Sequence, residues 1–162
     1  LQAVLRFARI CTNAHDIQLA HALACYACRL PPDFQYPGET PFTHFGVASR
    51  LFYSAQLGKE VDQSIAFFRQ EAEEANEYEA PAAWDVLAVL AARIDRPAVA
   101  LDAILARPTE TAHTQNSAMA ATLPPLIELS HKAAGGEKLR AACIERADII
   151  TYAASLARDC TQ

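Results

Sequence analysis

The stretch HALACYAC, residues 21–28, sets an imidazole and two thiols on one helical face, because His21, Cys25 and Cys28 fall at i, i+4 and i+7. Imidazole nitrogen and thiolate sulfur are natural ligands of zinc or copper, and Cys11 on the preceding helix could supply a fourth. Structural zinc sites draw instead on turns and on two well-separated ligand pairs, and no second C-x2-C or H-x3-H is present. Cysteine also ranks among the most buried residue types and packs as a small hydrophobe. Packing against a neighbouring helix is therefore the expected role, and no metal is assigned.

Other reactive residues lack the company that chemistry needs. No G-x-S-x-G, H-E-x-x-H or G-x4-G-K-[ST] pattern occurs, so no nucleophile comes with a base. The AGGEK segment, 134–138, has glycines and a lysine but no preceding strand, and reads as a helix stop. His15, His44 and His113 sit near expected helix ends or loops. The acidic run Glu71, Glu73, Glu74, Glu77 and Glu79 could attract a basic partner, but it opposes the macrodipole at a helix C-terminus and predicts fraying there. No catalytic residue and no cofactor are expected, and the chain is read as a non-enzyme.

Bulk properties narrow the field further. A net charge of −5 provides no basic footprint for nucleic acid, whose binding is driven by clustered Lys and Arg. With 52% apolar and 20% charged residues, the 162-residue chain can bury a sizeable core. No apolar run reaches the roughly 18–20 residues needed to span a bilayer, so no membrane association is expected. Five cysteines, an odd number without framework spacing, favour a reducing compartment, and the cytoplasm is the expected location. The amino end shows no basic, apolar, small-residue signal, and Leu1 without a preceding Met suggests an excerpt of a longer chain.

The elements that must position these residues all read as helices. Apolar residues recur at helical spacing almost throughout, and no segment alternates cleanly between hairpin turn signals. A first stripe runs through Leu1, Val4, Leu5, Ala8 and Cys11, and Asp16 caps a second helix that Pro31 and Pro32 stop. Residues 31–41, with four prolines and a glycine, form the clearest long loop. Further helices are predicted over about 42–57, stopped by Gly58, then 60–76 and 80–93. Asp95 is expected to cap the next, with Pro97 in its first turn. Residues 109–121 are left open as loop or short helix. Thr122 is expected to cap a seventh helix carrying Pro124 and Pro125 in its first turn, and an eighth runs over about 138–158.

Eight helices joined mostly by tight turns make four hairpins, and the hairpins repeat. In the third, Trp84, Leu87, Ala88 and Ala91 are followed by Ala100, Ile104 and Pro108, which resembles the tetratricopeptide pattern W-x2-L-G-x2-Y, then A-x3-F and a closing proline. The others carry weaker versions: Val4, Phe7, Ala8 and Cys11 with Ala20, Ala24, Ala27 and Pro32; Ala48, Leu51 and Ala55 with Ser64 and Phe68; Leu126, Leu129 and Ala133 with Ala142. Phe52 and Ser130 replace the usual small residue, and Ala24 and Arg146 the usual aromatic.

The resemblance to the tetratricopeptide repeat family implies an all-α, right-handed α-α superhelix. It would be a single helical-repeat domain over 1–162, with units at about 1–32, 42–76, 80–108 and 122–158. First helices then line a concave groove suited to a peptide or partner helix. The face left free by packing carries Arg9 and Asn13, then Ser49, Tyr53 and Gln56, then Asp85 and Arg93, then His131. The function implied is a non-enzymatic scaffold for protein–protein interaction. The alternatives are a pentatricopeptide-like RNA-binding array, which a mixed-charge groove disfavours, and a helical accessory domain of a larger enzyme. A metal-dependent sensor at His21, Cys25 and Cys28 is a minor third.

Overall fold

A computed structural model describes residues 8, 16–29, 42–77, 79–108, 117–134 and 136–145. Among them every regular element is a helix and none is a strand, so the chain is all-α as expected. No helix among the described residues is long and apolar enough to cross a membrane. The expectations for Arg9, Cys11, Asn13, the proline-rich loop at 31–41, residues 109–116 and the helix beyond 145 lie outside the described residues. The chain divides into two compact units, Leu1–Phe67 and Phe68–Gln162.

In the first unit, α1 (Ile17–Ala27) starts at Asp16, whose carboxylate accepts the Leu19 amide at 2.9 Å, the cap the sequence announces. Ala20, Ala24 and Ala27 form a fully buried stripe along α1, which packs on α2 (Phe42–Gln56). Helix α2 ends in a left-handed turn. Gly58 has φ +73°, its amide donates to Ala55 O at 2.9 Å, and the Lys59 amide reaches back to Ser54 O at 3.0 Å. That pair of bonds is a Schellman cap, and it explains why the helix stops where it does. Helix α3 (Val61–Glu74) follows at once. The fully buried Ser64 hydroxyl lies 3.0 Å from Leu51 O of α2 and 2.8 Å from Glu60 O, so it finds an acceptor without water.

In the second unit, α4 (Ala80–Arg93) and α5 (Pro97–Ala106) form a hairpin that buries Trp84, Leu87, Ala88, Ala91, Ala100 and Ile104, the residues that carry the repeat resemblance. Pro81 and Pro97 each sit in a first turn, where the missing amide has no helical acceptor to lose. Helix α6 (Ser117–Lys132) packs mainly on α4 and less on α5. Lys132, at the end of α6, lies in the electrostatic reach of Asp95 in the turn after α4. A further helix, α7 (136–145), follows a close turn in which a Cβ on Gly136 would stand 2.1 Å from Ser130 O.

Two expectations about helix ends are corrected. Asp95 does not cap α5: it takes the left-handed conformation, φ 60°, while the Arg96 amide bonds Ala91 O at 2.9 Å, so Asp95 closes α4 as a non-glycine Schellman residue. The N-cap of α5 is Arg96, which makes no side-chain cap bond. Thr122 does not begin the helix before the double proline either. Helix α6 starts at Ser117 and carries Pro124 and Pro125 in its interior. Each proline removes one ladder bond there, and the burial of Leu126 and Leu129 just beyond them holds the helix against that loss.

The contact at Gly136 yields a stability prediction. A methyl group there meets backbone that cannot swing aside, so Gly136→Ala is expected to destabilise the chain by about 2–3 kcal/mol, read as a lowered denaturation midpoint. An unchanged midpoint would mean that the α6–α7 turn does not close this tightly in solution.

Candidate functional site

The expected groove residues separate into two groups. Ser49 and Gln56 on α2 are half-buried, Gln56 donating its amide nitrogen to Phe52 O at 3.1 Å, and Arg93 and His131 are exposed at the ends of α4 and α6. Tyr53 and Asp85 are not on an open face. Tyr53 is 8% exposed and closes the core of the first unit with Ala8, Ala20 and Ala24, while Ile17, Leu23 and Phe52 pack around it. The physical reason is the alanine stripe of α1, which leaves a hollow that only a large ring on α2 can fill.

Asp85 is 3% exposed, and its carboxylate is held by Arg107 just after α5, with Nε to Oδ1 at 2.8 Å and Nη2 to Oδ2 at 3.4 Å. Arg107, itself 5% exposed, also lies 3.5 Å from Pro108 O. This two-pronged pair clamps the open end of the hairpin, where α4 begins and α5 finishes. Nothing at Asp85 in the sequence announces a partner 22 residues away. Removing either side alone leaves a buried charge, so Asp85→Ala and Arg107→Ala are each expected to cost roughly 3–5 kcal/mol. The double replacement Asp85→Leu with Arg107→Met should recover most of it in a double-mutant cycle. Additive losses would show that the two groups do not meet.

The residues of the HALACYAC stretch diverge. Cys25 Sγ lies 3.6 Å from His21 Nε2, a thiol–imidazole hydrogen bond one helical turn apart. The Cys28 thiol turns toward α2, where Gly46 lets the helix pass the end of α1: a Cβ on Gly46 would lie 3.4 Å from the sulfur. Among the described residues no group of three or more His, Cys, Asp or Glu is placed to hold a metal ion. Burial raises the Cys28 pKa, and burial alone pushes that of Cys143 on α7 up to about 11, which keeps that thiol protonated.

His21 instead opens on a cleft of about 440 Å³ lined by Gln18 and His21 of α1 and by Leu57 and Lys59 of the α2–α3 turn. The Schellman turn is what brings Lys59 opposite α1. Glu60, the next residue, is held in a left-handed conformation, φ 50°. Its carboxylate accepts the Ser54 hydroxyl at 2.7 Å and the Arg50 guanidinium at 2.6 Å, and the bond from Ser54, then the bond and charge of Arg50, lower its pKa. The sequence reading missed Arg50, Ser54, Lys59 and Glu60. The usable signal was Gly58: a helix stop there turns the next two residues back over the preceding helix.

Desolvation lowers the His21 pKa, Lys59 and Arg50 lower it further, and Glu60 opposes them. The folded chain therefore binds fewer protons than the unfolded one between the folded value and 6.5, and stability is expected to fall as pH drops through that window. An NMR titration should place the His21 midpoint below 6.5, with Lys59→Met raising it part of the way and Glu60→Gln lowering it. A midpoint at or above 6.5 would contradict the placement of His21 beside these cations. No family model, curated protein or solved structure matches this chain.

Proposed function

We propose that the chain is a non-enzymatic interaction module built from tetratricopeptide-like helical hairpins, binding a peptide or a segment of a partner protein. The observation that carries this reading is the packing of α6 on the preceding hairpin. It lies mainly on α4, the first helix of that hairpin, and less on α5, as expected where first helices of consecutive units line one surface. The hairpin itself buries its small-residue seam at Ala88, Ala91 and Ala100 and leaves Arg93 exposed on α4, with His131 exposed on α6. An arginine and an imidazole on two helices in contact suit a segment carrying carboxylates and backbone carbonyls, since both present directed donors.

Panning a random peptide library against the chain tests this. Acidic peptides should be enriched, and replacing Arg93 and His131 together by alanine should weaken their binding about tenfold or more, the loss of one or two anchoring contacts. Glu137→Ala, on exposed surface, should leave binding unchanged. Failure to enrich any saturable ligand, or binding indifferent to both replacements, would overturn the proposal. Binding of single-stranded RNA that weakens steeply with salt would favour the RNA-array alternative.

A further inference from the structure

The geometry points to Cys25 as a thiol-exchange site: with His21 as proton acceptor and the neighbouring cleft as a seat, it attacks a small anionic disulfide, keeps one half as a mixed disulfide and releases the other as a thiol. Three observations bear on this. The sulfur is half-buried but not enclosed, and it lies 3.6 Å from an imidazole nitrogen able to accept its proton. His21 also forms a wall of the cleft, so the pair stands at its margin. Among the described residues the other walls are an ammonium at Lys59, a carboxamide at Gln18 and an apolar side chain at Leu57, complementary to a carboxylate, a peptide group and a methylene chain. Cys28 and Cys143 lack these neighbours, the first directed at Gly46 and the second buried on α7.

The step balances within the groups named. Nε2 of His21 takes the thiol proton, and the Cys25 sulfur attacks one sulfur of the disulfide. The new S–S bond forms as the old one breaks, and the departing thiolate takes the proton from the imidazolium. Cys25 is oxidised, the departing sulfur is reduced, and no other oxidant is used. Lys59 and Arg50 face the imidazole with positive charge, opposed by Glu60, so the proton is not retained on His21. The modification is stoichiometric and is independent of what the helical surface binds.

The test uses the full chain with oxidised glutathione as the anionic probe and hydroxyethyl disulfide as an uncharged one, with modified cysteines located by peptide mass mapping under initial-rate conditions. Cys25 should react about tenfold faster than Cys28, which is equally half-buried but turned toward Gly46, and than the buried Cys143, as expected for a thiol with a base beside it. His21→Gln should slow Cys25 with both probes, and Lys59→Glu should slow it with oxidised glutathione alone. The wild-type ratio of Cys25 to Cys28 needs no variant, and a rise in Cys143 reactivity marks any variant that has unfolded. Cys25 reacting no faster than Cys28, or a folded His21→Gln variant reacting at the wild-type rate, would overturn the proposal. A Lys59→Glu effect on both probes alike would remove the cleft from the mechanism.

Discussion

Helices in this chain meet through alanine. Ala20, Ala24 and Ala27 on α1, Ala88 and Ala91 on α4, and Ala100 and Ala103 on α5 are all essentially inaccessible to solvent. A methyl group at each crossing lets two backbones approach closely, and it puts the larger side chains beside the seam, where Leu51, Leu87, Leu90 and Ile104 are buried. Each such leucine or isoleucine contributes about 1.5–3 kcal/mol on burial, but only when a second helix is present. None of these helices has an inner face that could stand alone, so each needs at least one partner helix.

Pairs need sharp corners, and the corners determine where polar chemistry appears. Two helix ends use a left-handed residue with a bond back into the last helical turn: Gly58 after α2 and Asp95 after α4. The first swings Lys59 against α1 and fixes Glu60 on Ser54 and Arg50. The second sets Asp95 close enough to influence Lys132 at the end of α6, where Lys132 also pairs with Glu128. Polar groups otherwise confined to a solvated helix face are brought to helix ends and turned toward a neighbour. The cleft of the first unit is thus a consequence of its helix stop.

Periodicity and punctuation disclosed the elements. The Asp16 cap, the Gly58 stop and the span of α4 were legible because each depends on residues a few positions away, as did the burial of Trp84, Leu87, Ala88, Ala91, Ala100 and Ile104. What stayed hidden depends on distant partners. Tyr53 occupies a position that periodicity alone could give to either side of α2, and only the width of the hollow left by Ala20 and Ala24 decides it. Asp85 is polar by type and buried by circumstance, because Arg107 reaches it from the far end of the hairpin. The double proline misled for a related reason: local chemistry places Pro124 in a first turn, and the packing of Leu126 and Leu129 overrides it.

The same constraint sets the charge of the His21 ring beside Cys25. A cysteine–histidine couple that cleaves substrates repeatedly rests as thiolate and imidazolium, so its surroundings must favour the charged ring. Here burial and the two cations Lys59 and Arg50 work against that charge, with Glu60 as the opposing influence, and the imidazole is favoured in its neutral form. A neutral ring accepts a proton from a thiol once and passes it to whatever leaves, which suits a single exchange. Because Lys59 is delivered by the turn that ends α2, the electrostatics of the site follow from that helix stop.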